Sequence, residues 1–274
     1  MPELPEVETI KRTIKEKLPG LTICGADIFL PKIIQRPSPE EFCRLVVDKK
    51  VLDVDRRGKY LLISLSRGLV LVVHLRMTGQ LIYTATEEPR SRHTHLIFYL
   101  DNGHQLRYID VRQFGRFWLV PEKDLQAVSG LKDLGVEPLS REFTLDFLAK
   151  GLKSRRTTLK SLLLEQTFIA GLGNIYSDEV LHRAGLHPSR TANTLTPPEV
   201  RALFEAIRTV LEEAISSRGT SVRDYVDGMG RAGTFQEKLR VYGQKGKPCT
   251  RCGRPIERLR SGNRSTYYCP GCQK

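Results

Sequence analysis

The sequence predicts an α+β fold, and three observations carry that prediction. Residues 21–120 are patterned like strands, the chain beyond Pro138 turns to a helical period, and two Cys-x-x-Cys pairs close it. The first element is a helix opening at Pro5-Glu6-Val7-Glu8-Thr9-Ile10, where proline suits the first turn and glutamate its positive end. Val7, Ile10, Ile14 and Leu18 give it an apolar stripe, and Pro19-Gly20 stops it. The strands that follow include the apolar run 70–75 and a hairpin in which 96–100 and 105–109 flank the turn Asp101-Asn102-Gly103. This half is expected to be a β-sandwich or barrel carrying one N-terminal helix.

In the second half, Leu159, Leu162, Leu163 and Gln166 lead to a break at Ala170-Gly171-Leu172-Gly173, and a further helix is expected over 174–183. Thr196-Pro197-Pro198-Glu199 is a capping box for a long helix with the stripe Val200, Leu203, Ile207, Val210 and Leu211. Residues 217–235, with Gly219, Gly228, Gly230 and Gly233, form a loop long enough to suggest a functional or mobile role. No internal repeat or low-complexity tract is found.

The 274 residues are ample for a sizeable core, and 40% hydrophobic with 27% charged residues argues for a globular chain rather than disorder, collagen or coiled coil. No apolar run approaches the ~18 residues of a membrane span, and the first residues lack the pattern of a signal peptide, so a cytoplasmic location is expected. The net charge of +13 favours an anionic partner, either nucleic acid or an acidic membrane. Ten basic residues and one acid, Glu257, fall between 238 and 274, so the charge is concentrated at the end of the chain.

Cys249-x-x-Cys252 and Cys269-x-x-Cys272, separated by 16 residues, have the spacing of a four-thiolate zinc site. Such a shell leaves no open position, so one structural Zn2+ is expected; disulfides or an empty knuckle are the competing readings. Residues 256–260 and 265–268 read as strands about a turn at Ser261-Gly262-Asn263-Arg264, which would hold Arg264 outward on a rigid tip. Cys24 and Cys43 have no partner at metal spacing and read as small core residues.

The first residues carry the least ordinary chemistry. Removal of Met1 before a small residue would expose Pro2 as a secondary amine, and α-amines titrate near ~8, leaving a nucleophilic fraction at physiological pH. Attack on a sugar carbon would give a cationic iminium, an electron sink for elimination. Glu3 is placed as general acid or base, and Glu6 lies a helical turn further on. Taken alone, Pro-Glu is an ordinary helix start. Arg56-Arg57-Gly58-Lys59-Tyr60 is a basic turn between strands. His74-Leu75-Arg76-Met77-Thr78-Gly79 and Asp110-Val111-Arg112-Gln113-Phe114-Gly115 each end a strand in a glycine-terminated turn. Singly, Met77 and Phe114 read as core residues. Together with Arg112 they could wedge into stacked bases. Gly171-Leu172-Gly173-Asn174, before a helix N-terminus, could grip phosphate through backbone N–H groups.

In this order, these motifs resemble the formamidopyrimidine-DNA glycosylase family over nearly the whole chain. The matching pieces are the Met1-to-Thr9 opening, Arg57-Gly58-Lys59, His74-Leu75-Arg76-Met77, the Asp110-to-Gly115 turn, Gly173-Asn174-Ile175-Tyr176 and the four-cysteine finger. The resemblance implies an N-terminal catalytic β-sandwich domain (1–135), a helix-two-turn-helix domain (136–238) with a lid near 217–235, and a zinc finger (239–274). It implies a base-excision enzyme that flips oxidised purines out of duplex DNA, acts as a monomer, and sits on the bacterial nucleoid.

It also implies the residue roles. Pro2 would be the nucleophile at the sugar C1′, Glu3 would protonate the ring oxygen, Lys59 would donate a proton and contact phosphate during strand cleavage, and Arg264 would assist the second elimination. His74, His93, Arg112, Arg155 and Asn174 match DNA-contacting positions, and Met77, Arg112 and Phe114 the void-filling wedge. The endonuclease VIII branch, which prefers oxidised pyrimidines, shares the Pro-Glu terminus. A zinc-ribbon DNA-binding protein without catalysis would explain the charge and the finger, but not Pro2-Glu3.

Overall fold

The computed structural model describes residues 1–222 and 224–274; residue 223, inside the expected lid, lies outside the described residues. The chain forms two compact units, Met1–Lys132 with Ser217–Thr234, and Asp133–Ser216 with Phe235–Lys274.

In the first unit, helix α1 (Leu4–Lys15) starts from a capping box of Glu3 and Glu6 and buries Val7, Ile10 and Ile14, the expected stripe. Strands β1 (Thr22–Ile28) and β2 (Ile34–Arg36) precede helix α2 (Pro39–Val46). Strands β3 (Lys49–Arg57), β4 (Tyr60–Leu65), β5 (Leu69–His74), β6 (Gln80–Ala85), β7 (Thr94–Leu100), β8 (His104–Ile109) and β9 (Arg116–Pro121) complete it. They order as β2-β9-β5-β4-β3-β1-β7-β8-β6. The seam between β3 and β1 is short, pairing Thr22 with Lys50 and Ile23 with Lys49. The halves on either side share one apolar core, and Tyr108 of β8 meets Phe117 of β9, ring centroids 4.8 Å apart, although those strands are not neighbours in the sheet. This is the expected sandwich.

Three details of this unit differ from the expectation. Helix α2 interrupts the stretch read as strands: the Ser38 hydroxyl accepts from the Glu41 N–H (3.2 Å) and Pro39 follows the cap, a signal the strand-rich surroundings obscured. Cys24 is exposed rather than core, because the β1–β7 register shifts between Ile23 and Gly25 and turns it outward; Cys43 is half-buried. Residues 217–234, assigned above to the helical domain, belong to the first unit. There the Gly228 N–H donates to the Thr13 hydroxyl of α1 (3.0 Å) and the Tyr83 N–H of β6 donates to the Gly228 carbonyl (2.8 Å).

The second unit packs α3 (Leu145–Lys153), α4 (Leu159–Leu164), α5 (Asn174–Ala184) and α6 (Pro197–Ser216) around Leu148, Leu163, Tyr176, Leu203 and Ile207. At the start of α6 the Thr196 N–H donates to the Glu199 carboxylate (2.8 Å), the reach-back half of the expected capping box. The terminal hairpin, β10 (Glu257–Ser261) and β11 (Arg264–Tyr268), turns tighter than expected: Ser261 pairs with Arg264 about the two residues Gly262-Asn263. Arg264 therefore begins a strand, and it is exposed. Among the described residues no helix is long and apolar enough to cross a membrane.

Candidate active site and metal centre

Pro2 and Glu3 are buried at the head of α1, while Met1 stands exposed. Glu6 organises this end. Its Oε2 accepts from the Glu3 N–H (2.8 Å), and its Oε1 accepts from the Thr220 N–H (2.7 Å). One carboxylate thus fixes the backbone beside Pro2 and docks the candidate lid. Gly219 is required there: its φ is +78°, and a Cβ would lie 2.8 Å from Glu6 Oε1. The same segment braces itself as well. Arg218 pairs with buried Asp227, whose Oδ1 accepts from the N–H groups of Met229 and Arg231, both at 2.9 Å.

Lys59, largely buried, occupies the two-residue turn between β3 and β4, next to Gly58 at φ +56°. His74 ends β5 and is also buried. Burial, then the charges of Arg76 and Lys59, push its pKa down to about 3, so the ring is neutral and its Nδ1 accepts from the Arg76 N–H (3.0 Å). From this position it holds the turn that carries Met77.

The two turns expected to form the wedge converge on Asp110, which is fully buried. Its Oδ2 accepts from the Tyr108 hydroxyl (2.7 Å) and from the N–H groups of Phe114 (2.8 Å) and Gly115 (3.0 Å). Its Oδ1 accepts from the Thr78 hydroxyl and the Arg112 N–H. Burial pushes this carboxyl up, but these donors outweigh it and the pKa is lowered, so Asp110 stays an anion. Gly115 leaves no room for a side chain, since a Cβ would fall 1.6 Å from the Tyr108 hydroxyl. Arg76 and Gln113 both hold φ of +59°, a conformation unusual for such residues that places them at the turns. Met77 (40% exposed) and Phe114 (44%) stand clear of the core, and the Arg112 guanidinium lies 4.8 Å over the Phe114 ring. The alternative reading of these two as core residues does not hold. The His93 carbonyl accepts from the Asp110 N–H (3.0 Å), which puts His93 beside the same scaffold.

In the second unit, Asn174 is the first residue of α5, and its Nδ2 donates to the Ser265 carbonyl of β11 (2.9 Å). Lys160 Nζ donates to the Asn174 carbonyl (3.0 Å), to Ser177 Oγ (2.7 Å) and to Asp178 Oδ1 (2.6 Å). Asp178 Oδ2 accepts from the Tyr267 N–H (3.0 Å), so the helix start and the finger strand share one buried ion pair. Glu179, also buried, accepts from the N–H groups of Arg240, Val241 and Tyr242. Glu6 and Asp110 lie in motifs noted in the sequence, but their organising roles are not marked there, and Lys160, Asp178 and Glu179 carry no mark at all. For Glu6, Asp178 and Glu179 the available signal was an acidic residue at a buried helical position, as in Asp178-Glu179 beside Val180-Leu181. Arg155 stacks over Phe168 (4.8 Å) and stays partly exposed.

The thiols of Cys249, Cys252, Cys269 and Cys272 all lie within 4.8 Å of one another, with Cys249–Cys272 at 3.8 Å and Cys252–Cys269 at 3.4 Å. Tetrahedral zinc with ~2.3 Å Zn–S bonds requires sulfurs about 3.8 Å apart, so the donor set fits one structural zinc with a closed shell. Cys249→Ser should lower bound zinc well below one equivalent per chain, while Cys24→Ser leaves it at one. Metal analysis of the two proteins checks this, and full zinc in Cys249→Ser would refute the site.

Family models for the formamidopyrimidine-DNA glycosylase N-terminal domain, its H2TH domain, and the zinc finger found in FPG and IleRS match residues 1–117, 134–226 and 246–274. The formamidopyrimidine-DNA glycosylase of Pelotomaculum thermopropionicum is 58% identical over 100% of this chain and 99% of its own, and that of Desulforamulus reducens 51% over 100% and 99%. Among solved structures, the Lactococcus lactis Fpg in complex with an abasic site containing DNA superposes with a TM-score of 0.93 at 35% identity, covering 99% of each chain. The wild-type Lactococcus lactis enzyme with N7-benzyl-Fapy-dG containing DNA gives 0.93 and 35%, covering 100% of each chain. With all three models in order along the chain and full-length relatives above half identity, this chain belongs to the formamidopyrimidine-DNA glycosylase family.

Proposed function

We propose that the protein is a bifunctional DNA-repair enzyme that excises oxidised purines, 8-oxoguanine and formamidopyrimidines, from duplex DNA and then cuts the strand. The observation that carries this is the pairing of a buried Pro2-Glu3 end, held by Glu6, with an exposed Met77, Arg112 and Phe114 set on one scaffold. The first can do the chemistry, and the second can fill the gap an everted base leaves. Unstacking costs a few kcal/mol, and the wedge together with the basic surface offsets it.

Once Met1 is removed, the Pro2 nitrogen attacks C1′, and the damaged base departs with the glycosidic electron pair and takes up the proton that the amine loses. Glu3 donates its proton to the ring oxygen as the C1′–O4′ bond opens, leaving a cationic iminium. Loss of a C2′ proton then expels the 3′ phosphate, and a second elimination expels the 5′ phosphate. Lys59 serves the first elimination as proton donor and phosphate contact, and Arg264 assists the second. His93, Arg155 and Asn174 contact the DNA, and 217–235 covers the everted base. His74, being buried, serves by shaping the Met77 turn. Cys249, Cys252, Cys269 and Cys272 would hold the structural zinc, which would stiffen the hairpin bearing Arg264. The partner is lesion-bearing duplex DNA rather than a membrane, and the protein works as a monomer in the cytoplasm at the nucleoid.

Borohydride trapping tests this. A covalent adduct with 8-oxoguanine duplexes, and far less with thymine-glycol duplexes, is expected. A preference for thymine glycol would move the protein to the endonuclease VIII branch, and no adduct with any lesion or abasic duplex would leave a non-catalytic binder. Glu3→Gln should keep lesion binding and lower excision about 10²–10⁴-fold in single-turnover assays, and an undiminished rate would remove Glu3 from its role.

A further inference from the structure

We propose that Glu8 and Arg56 form a positioning relay between the nucleophile-bearing helix and the Lys59 turn. Glu8 sits on α1, five residues beyond Glu3. Its Oε2 accepts from Arg56 Nε (3.0 Å), and Arg56 Nη1 donates to the Gly58 carbonyl (3.1 Å). Both side chains are about nine-tenths shielded from solvent, at 10% and 9% exposure. Two hydrogen bonds therefore run from α1 to the peptide group that joins Gly58 to Lys59.

The geometry suits positioning better than general stabilisation. The carbonyl that Arg56 clamps belongs to a turn residue at φ +56°, and fixing it fixes the plane from which the Lys59 side chain departs. The relay needs a planar fork that donates in two directions at once, Nε to a carboxylate and Nη1 to a carbonyl, and a lysine ammonium cannot reproduce that geometry. On its other oxygen Glu8 is held by Arg12 Nε (2.8 Å) and Lys11 (3.4 Å), so it cannot swing away. Burial pushes the Glu8 carboxyl up, yet the hydrogen bonds and charges of Arg12, Arg56 and Lys11 leave its pKa lowered, and it remains an anion. Misplacing a reacting group by ~1 Å can cost about 10²-fold in rate, so a lost clamp is measurable even when the fold survives.

The inference rests on the proposed part of Lys59 in strand cleavage, and the experiment separates the two. Single-turnover cleavage of a preformed abasic duplex is measured for the native protein, Arg56→Lys, Glu8→Gln, Lys59→Ala and Arg56→Lys/Lys59→Ala, alongside affinity for an uncleavable abasic analogue. Arg56→Lys and Glu8→Gln are each expected to slow cleavage about tenfold, with affinity within twofold of native. In the Lys59→Ala background, Arg56→Lys should then cost nothing further, because its effect passes through Lys59. An equal tenfold loss in that background would show an ordinary structural role and overturn the relay, as would unchanged cleavage in both single variants. Native cleavage unaffected by Lys59→Ala would instead sink the reading on which the relay rests.

Discussion

Protein that keeps Met1 should lose base excision by about 10⁴-fold or more in single-turnover assays, and trapping by borohydride should vanish with it. The size follows from the bond involved. With Met1 attached, the Pro2 nitrogen is a tertiary amide whose lone pair is delocalised into the carbonyl, so it cannot form an iminium. Lys59, the other amine proposed for the site, is buried in the turn between β3 and β4. The rest of the site survives the change. Glu6 still binds the Glu3 and Thr220 N–H groups, and Met77, Arg112 and Phe114 remain exposed, so lesion affinity should stay within a few-fold of native. Mass spectrometry to quantify Met1, read against excision rate and affinity on the same samples, checks it. Full turnover by protein with Met1 retained would overturn the nucleophile assignment and with it the whole mechanism.

What could be read from the sequence was what is local. The cysteine spacing announced the finger because two residues between ligands suffice to aim both thiolates at one ion. The Asp101-Asn102-Gly103 turn and the Val7, Ile10, Ile14 stripe likewise depend on neighbours in sequence, and β7–β8 and α1 form where expected. The organising acids were not legible, because their partners come from far along the chain. Glu6 is 214 positions from Thr220, and Glu179 is 61 from Arg240. Asp110 gathers donors from two separate turns, which no periodicity marks. The attachment of 217–234 to the first unit is hidden for the same reason: its glycines signal a loop, but the acceptors that hold it lie on α1. Residue type alone puts Cys24 in the core, and the register shift in β1 turns it outside.

Asp178→Ala should destabilise the protein by about 3–5 kcal/mol, the cost of leaving one buried charge without its partner. The Lys160 and Asp178 side chains are 1% and 0% exposed, so truncating the acid strands an ammonium that water cannot reach. Lys160 keeps the Ser177 hydroxyl and the Asn174 carbonyl, which soften the loss without supplying a negative charge. The Tyr267 N–H of β11 also loses its acceptor, so the finger hairpin loosens from α5 at the strand that begins with Arg264. Burial is what makes this pair expensive: it pushes the Asp178 carboxyl up against the pull of Lys160, so the site already holds its charge at a cost. Lys160→Met in the same protein should therefore recover part of the loss, because the unpaired ammonium goes with it. Denaturant unfolding of the native protein, Asp178→Ala and Asp178→Ala/Lys160→Met checks both statements. A single-variant loss under about 1 kcal/mol, or a double variant weaker than the single, would show that the pair does not carry the joint between helix and finger.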